Sequence, residues 1–193
     1  MKSQKIKIYY IEDSYIDYLR QFDTKVPYNK NKTRPYIGIV YTYNNINYFA
    51  PLSSPKPKHI KMSKKAVDIF KIENGKLGIV NLNNMIPTPI SCLTEVIPLV
   101  TDKTYKQLLL NQSAFINDHK KQLLSKVNTF QLQYNKGFLS KNELDRCCNF
   151  PLLEEKCKEW ENLREIEENK GEQVEEILEV ITENPEDEDD FEM

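Results

Sequence analysis

The chain has 193 residues, of which 39% are hydrophobic, a content that suits one main domain with one substantial core. No run reaches the apolar length of a membrane span, and Met1-Lys-Ser-Gln-Lys-Ile-Lys7 lacks the apolar centre of a signal peptide, so a cytosolic protein is expected. The net charge of -2 hides an asymmetry: residues 161–193 hold fifteen acids and two bases, a balance of -13, against fourteen acids and twenty-five bases in residues 1–160, a balance of +11.

A basic body of residues 1–160 and an acidic extension of residues 161–193 are therefore expected as separate parts. A body so positive attracts phosphate backbones with an affinity that falls steeply with salt. The competing reading is that its lysines only solubilise. Four cysteines, Cys92, Cys147, Cys148 and Cys157, show no CxxC spacing, and His59 and His119 are the only histidines. A structural zinc site or a disulfide framework is thereby disfavoured, and neither metal nor cofactor is expected.

In chain order, Lys5 to Ile11 alternates apolar and polar residues and predicts a strand. Asp13-Ser14 then offers helix-start chemistry for a short helix through Phe22. Asp23 to Arg34 reads as an exposed polar loop holding a basic-aromatic cluster, Tyr28-Asn-Lys-Asn-Lys-Thr-Arg34. Tyr36–Tyr43 and Ile46–Leu52 are β-branched and aromatic, and Asn44-Asn45 between them tolerates the positive φ of a tight hairpin turn. A second hairpin is predicted from Val67–Ile72 and Leu77–Leu82 around Asn74-Gly75, with a further strand at Glu95–Leu99.

After Val100 the period becomes helical. Thr101-Asp102 caps a helix that continues past Leu123, Leu124 and Val127, and Ser140-Lys-Asn-Glu143 has the capping-box form for a second helix through Trp160. Phe115, Phe130, Tyr134 and Phe138 are read as core. Glu161–Ile181 keeps apolar residues near helical spacing, although Gly171 weakens one continuous helix, and Asn184–Asp190 has too little apolar content to order itself. The expected class is α+β: a strongly curved, mostly antiparallel sheet of five or six strands, partly closed like a barrel, packed by C-terminal helices.

The densest chemistry lies in Tyr48-Phe-Ala-Pro-Leu-Ser-Ser-Pro-Lys-Pro-Lys-His59, where a strand runs into two hydroxyls, two ammonium groups and an imidazole. Pro51, Pro55 and Pro57 restrict the display of Ser53, Ser54, Lys56, Lys58 and His59. Such a loop suits a polyanion, because Lys supplies charge and Ser supplies hydrogen bonds to phosphate oxygens. Ser-Ser-Pro and Lys-Pro-Lys also make ordinary turns. His59 reads equally as an acid or base and as a phosphate-neighbouring surface residue. Lys58, Lys61, Lys64 and Lys65 read as backbone grips, joined by Lys30, Arg34 and Tyr36 from the preceding cluster.

That segment, with Lys32-Thr-Arg-Pro-Tyr-Ile-Gly-Ile-Val40 before it and Gly78-Ile-Val-Asn-Leu-Asn-Asn-Met-Ile-Pro87 after it, resembles the endoribonuclease toxins of type III toxin-antitoxin systems, the ToxN/AbiQ family. The likeness spans about residues 5 to 160. It implies that Ser53, Ser54 and Lys56 sit at the active-site motif, with Tyr28 and Lys32 contributed by the preceding loop. Lys56 and Lys32 would stabilise the phosphorane or transfer protons, Ser54 would position the scissile phosphate, and Tyr28 would hold or stack substrate.

The resemblance further implies a structured repeat-derived RNA antitoxin. The toxin would process that RNA, be inhibited by it in a ring-like assembly of three copies of each, and act in abortive infection. Family members usually stop near the end of the body, so the resemblance says nothing of the acidic extension, which is either a solubility tail or an RNA mimic.

RNA is cut without metal when its own 2′-hydroxyl attacks the neighbouring phosphate, a path that needs proton transfer and cationic stabilisation. The motifs hold no paired carboxylates or histidine cluster, which disfavours two-metal hydrolysis. Two other classes stay open: a non-catalytic RNA-binding regulator, and a protein-interaction module recruiting partners through its C-terminal helices.

Overall fold

The computed structural model describes residues 5–29 and 33–183. The chain divides into two units, Met1–Cys157 and Lys158–Met193. Lys30, Lys32 and the acidic stretch Asn184–Asp190 lie outside the described residues.

The first unit opens with β1 (Lys7–Ile11) and α1 (Asp13–Phe22), then the hairpin of β2 (Tyr36–Tyr43) and β3 (Ile46–Ser53). Asn44 and Asn45 carry φ of 47° and 64° between these strands, the left-handed pair that the predicted turn demands. Next come a short helix, α2 (Pro57–Lys61), and the hairpin of β4 (Ile69–Lys71) and β5 (Ile79–Asn81). The predicted hairpin is present, although its strands are shorter than expected. Its connection is a tight 3-10 turn, Ile72–Gly75, with positive φ at Glu73, Asn74 and Gly75.

β6 (Ile86–Pro87) and β7 (Leu93–Glu95) complete the sheet. The last strand thus begins before the predicted Glu95–Leu99, because Tyr9, Tyr10 and Ile11 of β1 pair with Glu95, Thr94 and Leu93. The order is β4-β5-β3-β2-β1-β7, with β6 pairing β3, and every pair among the described residues is antiparallel. The sheet has seven strands and is open, with β4 and β7 at its two edges. The expected partial closure into a barrel is therefore incorrect. A register shift between Ile37 and Tyr41 in the β2–β3 pair supplies local twist without joining the edges.

The helical half departs from the sequence reading at two breaks. The helix after Asp102 is capped as expected, Asp102 accepting from the Tyr105 amide, but it divides into α3 (Lys103–Asp118) and α4 (Lys120–Asn135). Just before the break, Asn117 makes a long-range contact that apolar spacing could not reveal. Its side chain accepts from Ile6 N at 3.0 Å and donates to Ile6 O at 2.9 Å, reproducing strand-like pairing at the start of the sheet. His119 turns the corner, its ring stacked on Phe115 at 4.0 Å.

The Ser140 capping box forms, yet it starts only a single turn, α5 (Lys141–Leu144). The long helix, α6 (Phe150–Glu183), starts anew, with Asn149 Oδ1 accepting from Leu152 N and Pro151 in the first turn. It continues through Gly171 without interruption.

Tyr15, Tyr36, Tyr48, Phe49 and Phe130 are fully buried at the centre of the first unit, each contributing on the order of 2 kcal/mol through the area it removes from water. Phe130 and Tyr134 both contact Phe150 of α6. Phe138, expected in the core, is 72% exposed. All four cysteines are buried and outside any disulfide, and burial raises the thiols of Cys147 and Cys148 to about 11 and about 12.

Candidate functional site

β3 ends at Ser53, which is half-buried, and the chain then displays Ser54, Pro55 and Lys56 in full exposure. Beyond them the backbone winds into a helical turn where the sequence predicts a proline-stiffened loop. Lys56 keeps an extended backbone at the N-cap of α2, and Pro57 takes the first helical position, where its missing N–H costs nothing. His59 N donates to Lys56 O at 2.9 Å and Met62 N to Lys58 O at 3.1 Å.

The turn sorts its side chains by face. Lys58 and Lys61 are exposed, as are Lys64 and Lys65 beyond it, while His59 is buried. Among the described residues none of Lys56, Lys58, Lys61, Lys64 and Lys65 takes part in an ion pair. Several uncompensated cations thus adjoin two hydroxyls.

A second layer, on the β4–β5 hairpin, fixes this segment from behind. Lys71 Nζ donates to Ile60 O at 2.8 Å and to Met62 O at 3.0 Å, satisfying carbonyls at the end of α2. Gly75, with φ of +94°, lies so close to α2 that a Cβ there would stand 2.6 Å from His59 O. Gly78, with φ of +100°, is closer still to β3, since its Cβ would stand 2.1 Å from Ser53 O. Asn81 Nδ2 donates to Ser53 Oγ at 2.9 Å.

His59 is therefore not a surface phosphate grip. Its Nδ1 is buried without a hydrogen-bond partner, and burial, with the charges of Lys56, Lys58 and Lys71, pulls its pKa below the usual histidine value. The neutral ring packs under the segment that carries the lysines. Tyr36 is also corrected: it is fully buried, its hydroxyl has no partner, and burial pushes the phenol far above its ordinary pKa. β2 is covered on both faces where Tyr36 and Ile37 stand, so Tyr36 is core although the sequence groups it with basic neighbours.

The loop after α1 reaches the same end of the sheet. Asn29 is buried and ties the loop down by donating to Ile11 O at 2.8 Å and to the Asp13 carboxylate. Tyr28 is 54% exposed, its ring 5.5 Å from the Arg20 guanidinium, and Arg34 Nε donates to its carbonyl at 3.0 Å. Leu52 N donates to Pro35 O at 2.8 Å and Tyr36 pairs with Pro51, so Arg34 and Pro35 run beside the end of β3. Tyr28, Arg34, Ser53, Ser54 and Lys56 thus belong to neighbouring segments at one end of the β2–β3 pair.

The sequence gives Gly75 only the role of a turn residue, and gives Lys71, Gly78 and Asn81 no individual role, although the last two stand in a stretch that carries the resemblance. One signal was available, a polar Asn closing the apolar run Ile79-Val80 beside two glycines. The rest of the Asn-rich stretch ties distant segments together. Asn83 Nδ2 donates to Arg146 O at 3.1 Å, and Asn84 Nδ2 to Lys25 O at 3.0 Å.

One exposed and one half-buried hydroxyl beside unpaired ammonium groups on a braced strand end are the groups that phosphate oxygens accept hydrogen bonds from. The chain belongs to the family described as Toxin ToxN of type III toxin-antitoxin systems, whose model matches residues 7–158. It is 34% identical over 163 residues to the Endoribonuclease ToxN of Bacillus thuringiensis subsp. kurstaki, covering 80% of this chain and 84% of that one. Over 164 residues it is 35% identical to the Endoribonuclease AbiQ of Lactococcus lactis subsp. lactis, covering 78% and 87% of the two chains.

Solved structures agree. A lactococcal anti-phage endoribonuclease, AbiQ, superposes with a TM-score of 0.71 at 27% identity, covering 82% of this chain and 99% of that one. A toxin described as selectively inhibited by a non-coding RNA pseudoknot gives 0.67 at 31%, with the same coverage. Among the described residues no helix is long and apolar enough to cross a membrane.

Proposed function

We propose that this chain is an endoribonuclease toxin that cuts RNA without a metal ion, with Ser53, Ser54 and Lys56 at the centre of its site. The observation that carries the reading is the exposed Ser54–Lys56 segment beside half-buried Ser53, in a chain of the ToxN family. In the reaction the RNA 2′-oxygen forms a bond to phosphorus as the bond from phosphorus to the 5′-oxygen breaks. One proton leaves the 2′-hydroxyl and one reaches the departing oxygen, giving a 2′,3′-cyclic phosphate and a 5′-hydroxyl.

Ser54 holds the scissile phosphate by hydrogen bonding. Lys56, with Lys32, supplies positive charge to the phosphorane or moves a proton. Tyr28, exposed at the same end of the sheet, offers a ring on which a base can stack. Arg34, Lys58, Lys61, Lys64 and Lys65, with Lys30, hold the RNA backbone without reading its sequence.

Its inhibitor is a structured RNA of repeat origin, which the toxin itself processes and which closes with it into a ring of three copies of each. A body at +11 supports a polyanionic inhibitor, and the acidic extension at -13 lowers affinity for RNA through its charge. Removing residues after Trp160 raises RNA affinity at low salt, and unchanged affinity and activity would remove that role.

The test is incubation of the protein, and of Ser54→Ala and Lys56→Ala variants, with mixed-sequence RNA in EDTA, and then end-group analysis. The expected result is cyclic-phosphate and 5′-hydroxyl ends from the wild type and none from either variant. Tight RNA binding with no cleavage by the wild type would overturn the reading in favour of a non-catalytic regulator. Toxicity on expression, cured by a neighbouring repeat RNA, checks the partner.

A further inference from the structure

Ser53 pairs with Ile79 across the β3–β5 ladder, which makes Asn81 its diagonal neighbour on the same face. The Asn81 amide makes two contacts there, to Ser53 Oγ at 2.9 Å and to Pro51 O at 3.4 Å. A carbonyl oxygen only accepts, so the amide must turn its nitrogen, and not its oxygen, toward this pair. Asn81 therefore donates to the serine. A hydroxyl has one proton to give, and the Ser53 proton is not used by Asn81. Among the described residues it meets no other acceptor. Gly78 holds the backbone of the same serine by close approach to its carbonyl.

We infer that Asn81 is a positioning residue, which occupies a lone pair of the Ser53 hydroxyl and leaves its proton directed to the oxygen on which charge builds as the phosphorane forms. This rests on the proposed ribonuclease site and deepens it by giving Ser53 one polarity. A serine held this way is a hydrogen-bond donor to phosphate and is unsuited to act as a base. A serine without that donor rotates freely and can present a lone pair, in place of its proton, to the substrate.

The experiment measures single-turnover cleavage at saturating protein, and binding of a fully 2′-O-methylated RNA that cannot be cut. These are compared for wild type, Asn81→Leu, Ser53→Ala and the double variant. Asn81→Leu keeps the approximate shape and removes the donor. Its cleavage rate is expected to fall about tenfold, the scale of one hydrogen bond, with affinity for the methylated RNA unchanged. In the Ser53→Ala background the same change costs nothing more, because no hydroxyl remains to orient.

Equal losses in both backgrounds, or parallel losses of rate and affinity, would assign Asn81 a structural role only and overturn the inference. If Ser53→Ala leaves too little cleavage to time, the split between rate and affinity in Asn81→Leu alone decides. Full activity of Asn81→Leu overturns the inference and leaves the ribonuclease reading standing. Failure of the wild type to cut any RNA would remove the ribonuclease reading itself.

Discussion

Strand β3 is held differently at its two ends. Where it begins, Asn44-Asn45 bends the chain with two adjacent left-handed residues, and nothing distant in sequence is needed to make the turn. Where it ends, the shape of Ser53–Lys61 is imposed by residues from β4, β5 and the turn between them, one contact reaching 28 positions along the chain. The first end is a local preference written in its own residues. The second is a conformation that other residues enforce, and it is the end that carries the proposed site.

Gly78→Ala should break the enforced end most severely. The added methyl meets Ser53 O inside contact distance, at a φ that side chains rarely adopt. A loss of about 3 kcal/mol in stability and a fall of at least roughly a hundredfold in single-turnover cleavage are expected. Chemical denaturation and timed cleavage would measure them, and an unaltered cleavage rate would show that β5 does not set Ser53.

Lys71→Met removes both bonds to the carbonyls of α2 while retaining the apolar stem. Stability should drop by about 1.5 kcal/mol, with faster amide exchange confined to residues 58–62. Uniformly faster exchange across the sheet would mean that Lys71 supports the whole fold instead of this turn.

His59 gives the enforced end a pH dependence. Its folded pKa lies below the unfolded value of about 6.5, so the unfolded chain takes up the proton first. The stabilisation by the neutral ring is complete above that value and is lost as pH falls through the folded pKa. A His59→Leu variant should therefore lose less melting temperature than the wild type between neutral and mildly acidic pH. Parallel pH profiles for the two proteins would discard the assignment.

The smallest effect belongs to the local end. Asn45→Gly, at φ of 64°, should raise stability by about 0.5 kcal/mol and leave cleavage untouched. A change in cleavage there would mean that the two ends of β3 are coupled.

The same contrast separates what could be read in the sequence from what could not. The β2–β3 turn, the Asp102 cap and the Ser140 capping box each depend on residues within three positions of one another, and all three formed where the sequence predicted them. The break between α3 and α4 falls beside Asn117, whose partner Ile6 is 111 positions away, and the apolar spacing runs through it unmarked. Pro-Lys-Pro-Lys was read as loop because its prolines punctuate, although Pro57 is well suited to open a helix. The burial of Tyr36 depends on cover over both faces of β2, a strand flanked by β1 and β3, and that of His59 on which side of its turn meets the core. The braces Lys71, Gly78 and Asn81 were invisible for a related reason: each is ordinary until its partner on another strand is known.

The four buried thiols have a practical consequence. With Cys147 and Cys148 raised to about 11 and about 12, both stay protonated at neutral pH, where alkylating reagents and oxidants attack thiolates. The folded protein should tolerate handling in air. A single cysteine introduced at exposed Lys64 would then be the most reactive thiol in the molecule, ready to carry a fluorophore that tests in real time whether RNA arrives beside the serines.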